Sequence, residues 1–361
     1  MKAVILVGGQ GTRLRPLTIN TPKAMVPVLN RPFLEHVIDN LSRHKAREIT
    51  LAISHLAQPI KDYFGDGSRF GVKLNYALEK APLGTAGAVK NSERHLDEIF
   101  LALNGDIFTD LDITAMMDLH RRRNAKITIA LTPVDNPTIY GLIETNAQGR
   151  VMRFLEKPSW SQVTTNMINA GTYLLEPDVM AYIPFQTKFS FEHELFPLLL
   201  ERDVPIYAYP SSAYWLDIGT PEKYFRLNKD LLSGRGGQYG LSSGQEVVVG
   251  EKSHIHSTAQ ITGPVVIDNN CTIGERVRLT GPVVIGHGSV ILDDSVITES
   301  IIWQAVNIGN RVKIKDSIIT NDCHLGDGSI VEEAVLGDHV TVASGYKLKA
   351  GSKIWPGTTV G

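Results

Sequence analysis

Apolar positions follow two different rhythms along this chain, and the change between them divides it. Up to about residue 232, short aliphatic runs alternate with amphipathic stretches. Ala3 to Val7, Ile49 to Ile53, Val72 to Leu78, Phe100 to Leu103, Ile127 to Leu131 and Ile206 to Tyr209 read as strands. Between them, Phe33 to His44 carries Leu34, Val37, Ile38 and Leu41 at helical spacing, and Ile113 to Arg122 carries Met116, Met117 and His120. Strands alternating with helices predict crossover units. The expected fold for residues 1–232 is therefore α/β: a Rossmann-like, mostly parallel sheet with helices on both faces. Ligands in such a sheet bind beyond the carboxyl ends of the strands.

The stretch from Leu232 to Gln245 holds five glycines and no apolar periodicity, so residues 233–246 read as a linker. Beyond it the period becomes six. Ile255, Ile261, Ile267, Ile273, Leu279, Ile285, Ile291 and Ile297 keep that interval without a break. After a slip it resumes at Ile302, Ile308 and Ile314, and again at Leu336, Val342, Leu348, Ile354 and Val360. Six is neither the helical nor the simple strand period, so this is a repeat architecture. It resembles the hexapeptide repeats of left-handed parallel β-helices, which implies a second domain over 247–361 of about six coils of roughly 18 residues each.

Composition narrows the function classes. A chain of 361 residues is long enough for two cores. Lys and Arg (36) balance Asp and Glu (38), for a net charge of -2, which argues against nucleic-acid or anionic-membrane partners. The two cysteines, Cys271 and Cys323, are far apart and in no ligand spacing, so neither a disulfide framework nor a zinc site is expected. No run approaches 18 apolar residues, and the first apolar run is too short for a signal peptide. A cytoplasmic protein is the expectation.

The candidate chemistry begins after the first strand, in the run GGQGTRLRPLT from Gly8 to Thr18, with Pro22 and Lys23 beyond. Paired glycines let backbone approach an anion, and Thr12, Arg13 and Lys23 add hydroxyl, guanidinium and ammonium groups suited to a polyphosphate. The run lacks the Gly-Lys-Ser/Thr ending of a Walker loop, and Leu14 stands where the dinucleotide fingerprint needs its third glycine. What remains resembles the signature of the sugar-1-phosphate nucleotidyltransferases. The resemblance continues, in family order, through Leu83 to Ala88 (LGTAGA), Asn104-Gly105-Asp106, Glu156-Lys157-Pro158, Asn169-Ala170-Gly171 and the stretch Trp215 to Thr220 (WLDIGT).

That resemblance implies roles residue by residue. Leu6, Gly8, Gly9, Gly11, Thr12, Arg13, Lys23, Glu79, Gly84, Thr85, Ala86 and Asp106 would meet the nucleotide. Gly141, Glu156, Lys157, Asn169 and Glu192 would meet the sugar phosphate, and Asp106 with Asp217 would hold Mg²⁺. Arg13, Lys23, Asp106, Lys157 and Asp217 would be the catalytic set. Asp110, Asp112 and Glu194 are further acidic candidates; Arg121 to Arg123 read as a helix C-terminus, and His287, His324 and His339 as surface histidines.

The implied reaction joins an NTP to a sugar-1-phosphate and releases pyrophosphate. Base choice turns on Glu79, where the family's thymidine and uridine enzymes carry glutamine. A carboxylate only accepts, which suits guanine's adjacent N1–H and N2–H₂, whereas glutamine suits a pyrimidine's mixed edge. With its β-helix tail, the stretch from Glu79 to Gly87 looks most like the mannose-1-phosphate guanylyltransferases, so GTP and mannose-1-phosphate are the expected substrates. The alternatives are a glucose-1-phosphate thymidylyl- or uridylyltransferase, a bifunctional enzyme whose β-helix transfers an acyl group, and a silent regulatory subunit. A homo-oligomer contacting through the β-helix is also expected.

Overall fold

The structure is a computed structural model that describes residues 1–54, 56–237, 241 and 246–361; the parts of the predicted linker at 238–240 and 242–245 lie outside the described residues. It contains two compact units. One comprises Met1–Gly9 with Leu34–Trp215, the other Gln10–Phe33 with Leu216–Gly361.

The first unit is built on a nine-stranded sheet. Its strands are β1 (Lys2–Leu6), β2 (Glu48–Ile53), β3 (Lys73–Leu78), β4 (Phe100–Asn104), β5 (Ile127–Pro133), β6 (Gly141–Thr145), β7 (Val151–Glu156), β8 (Met167–Leu175) and β9 (Ile206–Pro210). The main path runs β7-β6-β8-β4-β1-β2-β3, with β5 joined to β8 and β9 to β5. The neighbours β4, β1, β2 and β3 are parallel, as the alternation with helices predicts. The sheet as a whole is mixed, because β8 runs antiparallel to β4, β5 and β6, and β6 antiparallel to β7. Between Pro133 and Met167 the described residues contain no helix longer than a single 3-10 turn. Without a crossover helix, neighbouring strands return antiparallel.

Register places two loops side by side. Leu6, the last residue of β1, pairs with Asn104, the last of β4. Gly105 N–H then donates to the Leu6 carbonyl at 3.0 Å. A Cβ at Gly105 would stand 2.6 Å from that carbonyl oxygen, so the turn after β4 tolerates only glycine there.

Helix α1 (Phe33–Arg43) and helix α2 (Ile113–Arg122) form where the helical spacing predicts them. Asp112 caps α2 by accepting Ala115 N–H at 3.0 Å. His120 on α2 is 1% exposed and shares a 2.8 Å hydrogen bond between Nδ1 and Thr128 Oγ1.

In the second unit, strands after residue 246 stack in three parallel sheets of seven, seven and five strands, the predicted β-helix. Aliphatic side chains one coil apart lie directly over one another. Ile267 pairs with Ile285 eighteen positions later, but Ile285 pairs with Ile302 only seventeen later. The slip in the sequence period is thus a coil shortened by one residue, at the corner where Thr298-Glu299-Ser300 replaces the four-residue Thr280-Gly281-Pro282-Val283 turn. The coils stay short through Ile319 and Leu336, then return to eighteen at Ile354. Ile319, Leu325 and Val331, which the interrupted period passes over, fill the core between the two resumptions.

Segment 10–33 is packed within this same unit. Asn30 Nδ2 donates to the Ile285 carbonyl at 3.0 Å, and Asn20 Nδ2 to Asp338 Oδ2 at 3.2 Å. Helix α3 (Pro221–Leu232) joins them: Trp303 Nε1 donates to Tyr224 Oη at 2.9 Å, and Tyr224 Oη donates to the Pro27 carbonyl at 2.6 Å. Cys271 and Cys323 are free and buried in the coil core, and burial pushes the Cys323 thiol up to about 12. Among the described residues, no helix is long and apolar enough to cross a membrane.

Burial, reinforced by the charges of Arg121 and Lys126, lowers the His120 pKa to about 4. The unfolded imidazole titrates near 6.5, so between the two values the unfolded chain binds the extra proton. The stability this neutral histidine contributes is complete above pH 6.5 and is lost as pH falls toward 4, by on the order of 3 kcal/mol. Urea midpoints measured across that window should fall steeply for the wild type and more gently for His120→Gln; equal slopes would remove His120 as the cause.

Candidate active site

In the first unit, three glycine-rich turns gather around the ends of β1 and β4. Ser54, following β2, donates its hydroxyl to the Gly8 carbonyl at 2.6 Å. A Cβ at Gly8 would lie 2.9 Å from Ser54 Oγ and 3.5 Å from Glu79 Oε1, so Glu79 stands over the loop. Gly9 is exposed, and a Cβ there would meet no described atom within 4 Å. Among the described residues, no contact demands glycine at that position.

Glu79 has a local task as well. Its Oε2 accepts Leu83 N–H at 3.0 Å, which anchors the start of the LGTAGA stretch. Burial raises its pKa, against the opposing effect of that N–H. The glycines that follow answer to packing. Gly84 has φ +74, and Cβ atoms at Gly84 and Gly87 would lie 2.7 Å from the Phe189 carbonyl oxygen and 2.5 Å from that of Thr187. Ala86 is fully buried in the core. Thr85 Oγ1 accepts Phe191 N–H at 2.8 Å and donates to Glu192 Oε2 at 3.1 Å. The stretch thus clasps segment 187–192.

Strand β8 carries the Asn169-Ala170-Gly171 motif on a bulge. Its register against β5 shifts between Asn169 and Tyr173, and Gly171 takes φ +67 with no room for a Cβ beside Ile107 and Asn104. Gly171 N–H donates to Asn169 Oδ1 at 2.9 Å, and Asn169 Nδ2 donates to Tyr173 Oη at 2.8 Å. Tyr173 Oη donates to Glu192 Oε1 at 3.2 Å. Asn169 and Glu192, 23 positions apart, are therefore joined through one phenol.

Glu192 is the second residue of a wide π-type turn, Phe191–Leu195. Helix capping is done by its neighbours: Ser190 Oγ accepts the Glu192 and His193 N–H groups, and Glu194 Oε2 accepts Ser190 N–H at 2.7 Å. Glu156 faces the same region. Burial and the charge of Glu192 raise its pKa, opposed by Lys157 and His193. Gly141 pairs with Glu156 across β6 and β7, and a Cβ on it would lie 2.5 Å from the Phe154 ring. Lys157 is 68% exposed at φ +47 and reaches Glu156 Oε1 at 3.8 Å. Asp106 is half-buried in the turn after β4.

The second unit holds Gly11, Thr12, Arg13, Lys23 and Asp217. Gly11 at φ +61 starts a single 3-10 turn, and its carbonyl accepts Leu14 N–H at 2.9 Å and the Thr18 hydroxyl at 2.7 Å. Thr12 and Arg13 are exposed at the tip of that turn. A Cβ at Gly219 would stand 2.7 Å from Asp217 Oδ1 and 3.2 Å from Arg13 Nη2, so two residues 204 positions apart flank one glycine. Asp217, 14% exposed, pairs with the Lys223 ammonium and accepts Gly219 N–H at 3.1 Å.

Other acidic candidates have structural partners. Asp110 Oδ1 accepts Tyr214 N–H at 2.6 Å, and Asp112 caps α2. Arg123 lies over the Tyr207 ring at 5.6 Å past the end of α2, and His287, His324 and His339 are exposed on the coils. Ser54, Tyr173, Ser190 and Lys223 enter the two constellations unannounced by any motif. Tyr173 reads as an apolar strand position, and Lys223 as one more charge on a helix.

For a cation, the relevant test is donor chemistry. Among the described residues, no cluster of three or more His, Cys, Asp or Glu side chains is set for a metal. Two carboxylates completed by ligand oxygens suit a small hard divalent ion. Asp217 is a carboxylate of that type, and its Oδ2 is paired with the Lys223 ammonium.

Residues 2–234 match the family model described as Nucleotidyl transferase, and residues 261–360 the model described as GMPPB C-terminal domain. A UTP–glucose-1-phosphate uridylyltransferase of Synechocystis sp. is 34% identical over 339 residues, which are 88% of this chain and 87% of that protein. A mannose-1-phosphate guanylyltransferase of Mycobacterium tuberculosis is 36% identical over 275 residues, 75% of this chain and 76% of the relative. Among solved structures, HddC from Yersinia pseudotuberculosis complexed with GMP-PN superposes with a TM-score of 0.55 at 30% identity, covering 63% of this chain and 98% of that one.

Proposed function

The chain belongs to the nucleotidyl transferase family, and from that premise we propose that it makes GDP-mannose and pyrophosphate from GTP and mannose-1-phosphate. The observation that carries the reading is the seam at the end of β1 and β4. There the glycine loop and the Asn104-Gly105-Asp106 turn are tied by the bond from Gly105 to Leu6, with Glu79 standing over Gly8.

A sugar phosphate with a second pKa of about 6 is already largely dianionic at neutral pH, so its oxygen attacks the α-phosphorus without a general base. The P–O bond to the β-phosphate breaks as the new one forms, and pyrophosphate carries off the electron pair. The protein's work is to bring anions together and hold them. We assign Arg13 and Lys23 to the triphosphate, Lys157 to the sugar phosphate, and Glu156, Asn169 and Glu192 to sugar hydroxyls. Gly8, Gly9, Gly11 and Thr12 contribute backbone and hydroxyl to the phosphates. Asp106 and Asp217 would hold Mg²⁺, which when bound offsets charge on the leaving phosphates.

Guanine is favoured by Glu79: with Oε2 given to Leu83 N–H, the two oxygens still retain acceptor capacity for guanine's adjacent donors. The guanylyltransferase relative and the GMP-PN complex of HddC support that preference. A uridylyl transfer to glucose-1-phosphate is the second reading, supported by the Synechocystis relative. The free, buried cysteines favour a reducing, cytoplasmic setting. We also propose self-association through the β-helix, where Ile354 and Val360 are half-buried and Trp355 is 54% exposed. Light scattering at micromolar concentration should give a mass above one chain; a monomer would refute it.

The deciding assay is pyrophosphate release across the four NTPs and dTTP with common hexose-1-phosphates. The wild type should prefer GTP with mannose-1-phosphate, and Glu79→Gln should shift that preference toward UTP or dTTP by about tenfold or more. A wild type that prefers a pyrimidine nucleotide defeats the guanine reading. Asp106→Asn should cut turnover by roughly 10²- to 10⁴-fold with the fold intact by circular dichroism. Near-normal turnover at ordinary Mg²⁺ would remove Asp106 from the site.

A further inference from the structure

Every hydroxyl around Glu192 has its direction dictated by a backbone N–H. Gly171 N–H occupies Asn169 Oδ1, which turns the amide nitrogen toward Tyr173. Tyr173 Oη must accept there, so its own proton goes to Glu192 Oε1. Phe191 N–H occupies a lone pair of Thr85, whose proton then goes to Glu192 Oε2 at 3.1 Å. Ser190 Oγ accepts the Glu192 and His193 N–H groups, both at 3.0 Å, and donates to the same Oε2 at 2.9 Å.

The capacity left over is specific. Oε2 of Glu192 has both lone pairs engaged, by Ser190 and Thr85, while Oε1 has one engaged and one open. Asn169 Nδ2 has used one N–H on Tyr173 and retains the other. One acceptor and one donor therefore remain, each bonded to the same phenolic oxygen. A single hydroxyl, which donates and accepts at once, satisfies both. A fluorine or a hydrogen in its place does not.

Resting on the catalytic reading above, we propose that Tyr173 is a positioning and specificity-determining residue. By fixing the polarity of the Asn169–Tyr173–Glu192 chain, it makes the sugar subsite select one hydroxyl of the hexose-1-phosphate. Tyr173 is itself fully buried, so it acts through the two residues it joins. Burial and the charge of Glu192 push its phenol pKa well up, so the proton stays available to donate. Thr85 extends the chain to the LGTAGA stretch, which ties the sugar side to the segment expected to meet the nucleotide.

The test is steady-state pyrophosphate release by wild type and Tyr173→Phe, with the parent hexose-1-phosphate and its monodeoxy and monofluoro analogues. Loss of the phenolic hydroxyl should raise the sugar-phosphate KM by about tenfold or more while the NTP KM stays within about twofold. One deoxy analogue should cost the wild type roughly 10- to 100-fold in kcat/KM, and the matching fluoro analogue a similar amount. Both penalties should shrink to about threefold or less in Tyr173→Phe. Thr85→Val, which removes a donor to Glu192, should shrink the same deoxy and fluoro penalties with Thr85→Ser restoring them, and this readout decides the matter if Tyr173→Phe does not fold. Equal shifts in both KM values, or deoxy penalties that persist unchanged in the variants, overturn the inference. A wild type that releases no pyrophosphate overturns the catalytic reading and the inference with it. An active wild type with an unmoved Tyr173→Phe overturns only the inference.

Discussion

The first unit depends on one hydrogen bond at the end of two parallel strands, from Gly105 N–H to the Leu6 carbonyl. Parallel pairing brings Leu6 and Asn104 level, and chain leaving both strands must then diverge without stranding polar backbone. Gly105 resolves this by passing so close to Leu6 that no side chain is possible. Gly8 and Asp106 inherit their positions from that choice. Glu79, held just past β3 by its N–H to the Ile53 carbonyl, extends toward the same loop.

Much of this was legible in the chain. Strand and helix runs, the six-residue period and the ordered glycine motifs are local signals, and local signals survive folding. The antiparallel β8 was not legible, because its direction follows from the lack of a crossover helix between Pro133 and Met167 and not from its own residues. Motif resemblance also credits residues with one role where the structure adds another. Gly84 and Gly87 read as a ligand loop, yet the carbonyls of Phe189 and Thr187 already require them to be glycine. Tyr173 and Lys223 carry no sequence signal because their importance lies in partners that only folding supplies.

The second unit shows how little chain proximity governs packing. Segment 10–33 is held by groups 197 to 318 positions away: the Ile285 carbonyl, Asp338, and Tyr224 steadied by Trp303. Arg13 and Asp217 meet around Gly219 within that unit. The β-helix is thus a mount for the loop that bears Thr12 and Arg13, in addition to being a repeat with a core of its own.

The seventeen-residue coils have a consequence for how this tail can change in length. A residue lost inside a strand would turn every following side chain inside out, since strand faces alternate. Lost at the corner before Ile301, it leaves Ile302 squarely above Ile285 and Ile308 above Ile291. One edge of the coil therefore acts as an expansion joint, taking up insertions and deletions while the stacked aliphatic column runs on. Indels in descendants of this gene should collect along that edge and spare the other two.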